Sequence, residues 1–276
     1  MIENNIEKRV KINKIIDLTI NLLSYFLMVP LILILAYIIK NGIANFNLDF
    51  FISLPKPVGE EGGGASNAII GTLMIVFGAS ILSIPIGVLI GLYLSEHTNK
   101  LSDIVRVSIE TLQGIPSIVY GIVAYAWIVL PFNSFSAISA SIALGLMILP
   151  MVTKATEETL KMIPNTLKEA SYALGSSYLN TMFKVIIPAG YKGILSGILV
   201  GLARITGETA PLLFTAFGNP FMNLNPLQPT NALPLIIYNY ATSPYEEWQS
   251  IAWTASLFLI IFVLFLSIMS KLVVKK

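Results

Sequence analysis

The stretch IIGTLMIVFGASILSIPIGVLIGLYL, residues 69–94, decides the fold class. It contains no charged residue, and about 20 apolar residues suffice for a helix to cross the hydrocarbon core of a bilayer. The chain as a whole has the same character: 55% of its residues are apolar, 12% are charged, and the mean hydropathy is +0.78. Soluble domains are about 25% charged. The sequence therefore predicts an integral membrane protein.

Five further apolar segments flank this stretch. The sequence thus predicts an all-α, polytopic membrane protein with six transmembrane helices, at about 18–39, 69–94, 114–132, 135–153, 193–217 and 251–270. The first apolar segment has no small-residue cleavage site after it, so we interpret it as a retained helix. We divide the chain into a cytoplasmic N-terminal segment, 1–17, and a transmembrane domain, 18–276.

Basic residues are distributed asymmetrically about these spans. Of the 17 Lys and Arg residues, Lys40 and Lys56 fall in outer loops and Arg204 falls within a span, which leaves the other fourteen on one side. Because cytoplasmic loops are enriched in Lys and Arg, we expect a multi-pass protein of the cytoplasmic (inner) membrane with both termini in the cytoplasm. The outer segment GEEGGG, 59–64, is predicted to be a flexible loop apex.

The composition argues against several kinds of site. The chain has no cysteine and a single histidine, His97, so we expect neither a disulfide framework nor a metal site. It contains no G-x-x-x-x-G-K-[ST] phosphate loop and no Ser/His or paired-Asp set, so we expect no catalytic residue and no enzyme activity. The basic residues follow the membrane face, which favours contact with membrane lipid and not with nucleic acid.

Arg204 and Glu208 are charged residues inside the fifth apolar segment. In one continuous helix they share a stripe with small or polar residues, namely Gly193, Gly197, Gly201 and Thr215. Glycines at this spacing permit close helix packing, and an arginine at the bilayer centre costs about 2.5–3.5 kcal/mol. We therefore predict that the pair faces protein or a conduit, where Arg204 binds an anion and Glu208 holds Arg204 when the site is empty. The alternative is a structural ion pair that fixes the register of the helix.

Two residues beside this pair weaken a helix. Pro211 has no N–H to donate to the carbonyl of Gly207, so we predict that Gly207 and Pro211 form a bent segment and act as a helix hinge. In the third span, the hydroxyls of Ser117 and Tyr120 are candidates for contact with a translocating anion. Helix packing is the alternative interpretation for both hydroxyls.

The loop at about 154–192 is the longest on the predicted inner side. Thr166 begins the pattern of a capping box, and Gly175 suits the end of a short helix. A second helix is predicted to follow and to run to Pro188. Such a compact element either lies on the membrane surface or docks a cytoplasmic partner.

The segment EASYALGSSYLNTMFKVIIP, residues 169–188, resembles the EAA loop of ABC importer permeases. Glu169, Ala170, Gly175 and Pro188 match that pattern. The departures are conservative, namely Ser171, Val185 and Ile187. The resemblance implies the type I ABC importer permease (MetI-like) fold, in which this loop forms a coupling helix that sits in a groove of the ATPase subunit. The four matching residues are then expected to couple the chain to that ATPase.

Three further segments extend the resemblance. ARITGETAPLLFTA, 203–216, and GIPSIVYG, 114–121, together with EEGGG before the second span, are similar to segments of the PstA-type permeases of phosphate ABC importers. The resemblance implies that the chain conducts inorganic phosphate, with Arg204 and Glu208 taking part in its passage.

The same resemblance implies a set of partners. These are a PstC-like permease that completes a heterodimer, two PstB-like ATPase subunits and an extracytoplasmic phosphate-binding protein. ATP and Mg are then expected on the ATPase subunits, and no cofactor is expected on this chain. A permease for another oxyanion, such as molybdate or sulfate, and an ion-driven secondary transporter remain alternatives.

Overall fold

The computed structural model describes residues 2–60 and 62–275, with side chains for 12–60 and 62–274. Over this part the chain is helical, apart from loops and one β-bridge between Phe217 and Thr230. The predictions that place Glu61 in the outer loop and Lys276 in a cytoplasmic tail lie outside the described residues.

The helices are joined by short connections, except at 53–65 and 216–232. In chain order they are α1 (Ile2–Gly42), α2 (Leu48–Ile52), α3 (Ser66–Glu96), α4 (Lys100–Gly114), α5 (Ser117–Ala124), α6 (Leu130–Phe132), α7 (Ala137–Lys161), α8 (Asn165–Ala173), α9 (Tyr178–Thr181), α10 (Ile187–Thr206), α11 (Ala210–Thr215), α12 (Leu233–Ala241) and α13 (Glu246–Lys275). Two π-helical turns, Tyr125–Val129 and Met182–Ile186, join α5 to α6 and α9 to α10 without a break. The predicted division between residues 17 and 18 falls inside α1, which runs through it.

Five helical segments among the described residues are long and apolar enough to cross a bilayer: Ile12–Gly42, Ser66–Glu96, Ala137–Lys161, Tyr178–Thr206 and Glu246–Val274. A sixth is composite, because α4 and the helical segment Ser117–Phe132 meet at 103°. The bend falls at Pro116, which holds the preceding residue, Ile115, in an extended conformation (φ −73°, ψ 131°). With the bent pair counted as one span, the prediction of six spans is confirmed.

Helices α3 and α7 form the centre of the molecule, and small residues let them approach closely. A Cβ added at Gly87 would lie 2.9 Å from Cγ1 of Val152, and one added at Gly91 would lie 2.6 Å from Cβ of Thr156. Higher numbers on one helix meet higher numbers on the other, so α3 and α7 run parallel. The hydroxyl of Ser83 donates to the carbonyl of Gly145 at 2.6 Å. Ser83 and these glycines of α3 therefore serve helix packing.

Helix α10 packs on the other side of α7 and runs antiparallel to it. Its glycines lie against successively earlier residues of α7: Gly193 faces Thr159, Gly197 faces Ala155 and Gly201 faces Ile148. The close packing predicted for this glycine stripe is confirmed. The partner helix belongs to the same chain.

Two predictions about the inner loop were wrong. Helix α8 begins at Asn165 after Pro164, without a capping side chain, because Pro164 in an extended conformation (ψ 137°) already sets the start of the helix one residue before Thr166. The second helix does not end at Pro188 but continues to Thr206. The π turn before Pro188 shifts hydrogen bonding there from i−4 to i−5, as in the bond of the Ile187 amide to the Met182 carbonyl, so the helix accommodates the missing proline N–H.

Candidate functional site

Arg204 lies deep within the membrane-spanning part of the molecule. Its Nη1 is 3.7 Å from Sδ of Met151. The residue next to Met151 is Val152, which packs on Gly87 within the uncharged stretch 69–94. The Arg204 side chain is 54% exposed on the surface of the single chain. Because a guanidinium that faces hydrocarbon is costly, this face of α10 requires a polar or protein neighbour.

The pair formed by Arg204 and Glu208 spans the end of a helix. Nε of Arg204 is 3.8 Å from Oε1 of Glu208, which is an ion pair at a distance too long for a hydrogen bond. Helix α10 ends at Thr206, after which the Gly207 amide donates to the Arg204 carbonyl and the Glu208 amide donates to the Ile205 carbonyl, both at 3.2 Å. The carboxylate is thus carried by non-helical backbone, which leaves it able to move relative to the arginine.

Gly207 and Pro211 lie where the helix is interrupted. Gly207 has φ −94°, and a Cβ added to it would find its nearest atom at 3.9 Å. Pro211 is near the start of α11, where its missing N–H leaves no helical hydrogen bond unmade. The single continuous helix expected through Thr215 was wrong, because residues 207–209 are not helical, although Glu208 stays beside Arg204. Thr215 is buried, and its carbonyl accepts a hydrogen bond from the Ser136 amide at 3.0 Å.

Tyr120 and Ser117 lie just after the bend between α4 and α5. The hydroxyl of Tyr120 is buried and donates to the carbonyl of Leu112 at 2.6 Å, which ties α5 to α4 across the bend. Ser117 is the first residue of α5 and is partly exposed. In this conformation the Tyr120 proton is used within the chain, and a contact of either residue with an anion stays a prediction.

A turn at Gly175 shapes the inner loop. Gly175 has φ +79°, its amide donates to the Tyr172 carbonyl at 2.9 Å, and the Ser176 amide donates to the Ser171 carbonyl at 3.2 Å. This is a Schellman ending, which favours glycine because a Cβ is strained in the left-handed region. Gly175 is therefore the helix-ending residue that the sequence predicted. The side chain of Ser177 then caps α9.

The exposed face of α8 carries residues that the resemblance assigned to ATPase coupling. Glu169 and Ala170 are exposed, as are the apolar side chains of Leu167 and Leu174, the latter to 89%. Exposed apolar side chains grouped on a compact element are typical of an interaction surface. Pro188 is also exposed, in the first turn of α10.

Buried ion pairs at the inner ends of the helices were missed by the sequence analysis. Glu157 of α7 is almost fully buried and lies 3.0 Å from Nη2 of Arg106 of α4. It also accepts from Lys161 at 2.6 Å. Glu96 at the end of α3 pairs with Lys168 of α8. Spacing along the chain identifies the Glu157–Lys161 pair, whereas the other two join residues more than fifty positions apart. No group of three or more His, Asp or Glu residues suited to a metal ion occurs in the described part of the chain.

Comparison with known proteins places the chain in a family. Residues 83–276 match the family described as "Binding-protein-dependent transport system inner membrane component". The phosphate transport system permease protein PstA of Yersinia pestis is 38% identical over 248 residues, which cover 89% of this chain and 84% of the relative. That of Haemophilus influenzae is 39% identical over 242 residues, covering 87% and 85%. A probable PstA of Methanocaldococcus jannaschii is 36% identical over 251 residues, covering 90% and 89%.

Solved structures support the same fold. An inward-facing structure of the MetNI methionine ABC transporter matches with a TM-score of 0.60 at 21% identity, over 76% of this chain and 92% of that one. An amino acid ABC transporter matches with a TM-score of 0.51 at 21% identity, over 74% and 90%. The predicted all-α, MetI-like permease fold is confirmed. With its apolar spans and its PstA relatives, the chain belongs to the inner membrane components of binding-protein-dependent transport systems and, among them, to the PstA phosphate transport permeases.

Proposed function

We propose that this chain is a membrane-spanning permease subunit of an ATP-driven importer that moves inorganic phosphate into the cytoplasm. The PstA relatives are named for phosphate transport and match over most of their length. The chain itself performs no covalent step. It forms one half of a pore, and a PstC-like permease completes the heterodimer.

The observation that carries this proposal is the half-exposed side chain of Arg204, which lies beside Met151 in the middle of α7. A planar guanidinium donates two parallel hydrogen bonds and so suits the oxygens of a tetrahedral oxyanion. The exposed face of α10 then lines a cavity between the two permeases. Arg204 lowers the electrostatic barrier for the anion there, and Glu208 holds Arg204 while the cavity is empty.

The energy comes from partner subunits. The exposed face of α8, with Glu169 and Ala170, docks in a groove of one of two PstB-like ATPase subunits, and Gly175 and Pro188 shape this element. ATP and Mg bind to those subunits. Their movement switches the cavity from outward-facing to inward-facing, with Gly207 and Pro211 as the hinge of the fifth span.

An extracytoplasmic phosphate-binding protein delivers the anion to the outer side. Both termini lie in the cytoplasm, which is the orientation favoured by the distribution of Lys and Arg residues. Ser117 and Tyr120 flank the pathway: Ser117 offers a hydroxyl to the anion, and Tyr120 holds the bend beside it.

The decisive experiment is ATP-dependent phosphate uptake into vesicles that contain the complete complex and the binding protein. Arg204→Gln removes the charge, Arg204→Lys keeps it without the planar fork, and both should accumulate and assemble like the parent. We expect Arg204→Gln to abolish uptake and Arg204→Lys to retain a small part of it. Parent-like uptake by Arg204→Gln at equal protein level would refute the anion site.

Two controls address the alternatives. An ATPase subunit should co-purify with the chain. Uptake should require ATP on the side of the membrane that carries the ATPase subunits, and it should persist when ion gradients are collapsed. Uptake driven by an ion gradient alone would favour a secondary transporter. Excess sulfate or molybdate should leave phosphate uptake unchanged, and transport of either anion in place of phosphate would reassign the substrate.

A further inference from the structure

Helix α8 is held against the rest of the chain by two polar contacts of different kinds. The hydroxyls of Ser171 and Thr181 are 2.9 Å apart and join α8 to α9, the next helix in sequence. Lys168 instead pairs with Glu96, at the inner end of α3 and 72 positions away. The two side chains of this ion pair are only 16% and 13% exposed. The pair is thus shielded from the solvent that weakens surface ion pairs.

This ion pair links α8 to α3, two helices that are not neighbours in the sequence. Through its ends, α8 is joined covalently to α7 and α9, and it packs on α9 and on the π turn Met182–Ile186 that leads into α10. Among the side-chain hydrogen bonds and ion pairs of the described residues, the one between Lys168 and Glu96 joins α8 to α3 directly. A displacement of α8 therefore acts on the second span through this pair.

The inner end of α3 is rigidly supported. Arg106 of α4 donates to the carbonyl of Leu94 at 3.5 Å and also binds Glu157 of α7. Farther out, Ser83 ties α3 to α7 through the carbonyl of Gly145. A force applied at Glu96 consequently acts on a packed pair of helices and not on a frayed helix end.

The outer end of α3 contacts the segment that follows the Arg204–Glu208 site. Asn67 Nδ2 donates to the carbonyl of Asn219 at 2.7 Å, and the hydroxyl of Thr72 accepts from the Leu233 amide at 2.8 Å. The backbone of Asn231 lies directly against Gly71. Residues 217–232 continue from α11, which begins two residues after Glu208. Helix α3 thus connects the coupling helix at one end with the outer continuation of the candidate anion site at the other.

We propose that Glu96 and Lys168 are positioning residues whose ion pair makes α3 move with α8, so that movement of the ATPase reaches the outer side of the pathway through the second span. This inference rests on the proposed function of α8 as the ATPase-coupling element. Neither residue is expected to touch phosphate or to be required for ATP hydrolysis.

The first test measures coupling. Glu96→Gln and Lys168→Met break the pair singly, and the double variant Glu96→Lys with Lys168→Glu restores it with the charges exchanged. Lys154→Met is the matched control, because it breaks an ion pair with Glu110 at 3.1 Å whose side chains are 33% and 51% exposed. ATPase co-purification, ATP hydrolysis and phosphate uptake are measured in the complete complex with its binding protein.

We expect each single variant to retain the ATPase and to hydrolyse ATP, but to move at least fivefold less phosphate per ATP than the parent. The exchanged pair should recover at least half of the parental ratio, and Lys154→Met should match the parent. A parental ratio in the single variants, or no recovery in the exchanged pair, would overturn the proposal. So would loss of the ATPase subunit from Lys168→Met alone, since Lys168 would then contact the ATPase itself.

A second measurement applies even if the single variants fail to fold or the parent moves no phosphate. The chain has no cysteine, so spin labels can be placed at exposed Tyr172→Cys in α8 and exposed Thr98→Cys after α3 without removing native thiols. We expect the distance between the labels to stay constant between nucleotide-free and ATP-bound complexes. A change of several ångströms would show that α8 and α3 move separately and would overturn the inference. Failure of phosphate uptake in the parent would refute the proposed substrate and leave this distance test intact.

Discussion

Arg204 and Glu208 face each other across the end of a helix, with Nε and Oε1 3.8 Å apart and the helix between them ending at Thr206. A pair on one continuous helix would be held by the helix itself. Here the acid lies on a short non-helical connection, so the two charges can separate without unwinding a regular turn. This arrangement suits an acid that must yield its arginine to an incoming anion.

The first prediction concerns the acid of this pair. Glu208→Gln removes the competing carboxylate, so a bound anion is no longer displaced from Arg204 and leaves more slowly. Exposed ion pairs are worth about 0.2–1 kcal/mol, so we expect the maximal uptake rate at saturating binding protein to fall by up to about fivefold. Glu208→Asp is the control that keeps the charge. A Glu208→Gln variant with the parental maximal rate would show that the acid has no part in release.

Much of the fold followed from the sequence because its signals are local. The span predicted for the uncharged stretch 69–94 and the close packing predicted for the glycines of α10 each follow from the pattern of neighbouring residues. Gly175 was identified because a helix that ends with a residue in the left-handed region favours glycine there. The prediction that the second helix of the inner loop ends at Pro188 was wrong for an equally local reason. A proline normally ends a helix, but a π turn in the preceding residues removes the need for its N–H.

The site was predictable only in part. The charges of Arg204 and Glu208 were conspicuous in an apolar segment, but the helix was extrapolated through Gly207, where the structure breaks it. The pairs Glu96–Lys168 and Arg106–Glu157 were invisible because each joins residues on different helices. Such contacts are fixed by how the helices pack, which no local pattern along the chain encodes.

The second prediction tests the hinge at Gly207. Nothing in this conformation requires a glycine there, since φ is −94° and an added Cβ has open space. Gly207→Ala should therefore insert and assemble like the parent. If the segment bends during transport, however, the alanine restricts that movement, and we expect uptake to fall several-fold.

The control for Gly207→Ala is Gly114→Ala, because Gly114 also ends a helix and an added Cβ there has no neighbour within 4 Å. Uptake by this control should equal that of the parent. Parent-like uptake by Gly207→Ala as well would remove the hinge role and leave Gly207 as a simple helix end.

The third prediction concerns Gly175. An added Cβ has no neighbour within 4 Å, so a substitution acts only through the left-handed φ of +79°. That conformation costs a residue with a Cβ roughly 1–2 kcal/mol, with Asn tolerating it better than Val. We expect Gly175→Val to reduce ATPase co-purification and uptake together, and Gly175→Asn to stay close to the parent. Equal behaviour of the two variants would show that the turn does not position the coupling element.

The last prediction compares two acids that bind the same arginine. Arg106 lies 3.0 Å from Glu157 and 3.1 Å from Asp103, but the Glu157 side chain is 4% exposed and that of Asp103 is 69% exposed. Removing one partner of a buried pair leaves an uncompensated charge and costs about 3–5 kcal/mol, whereas an exposed pair contributes about 0–1 kcal/mol. Glu157→Gln should therefore sharply lower the temperature at which the purified protein loses its monodisperse peak after heating, and Asp103→Asn should barely change it. A similar fall in this temperature for both variants would mean that distance to the arginine, and not burial, determines how much each ion pair stabilises the protein.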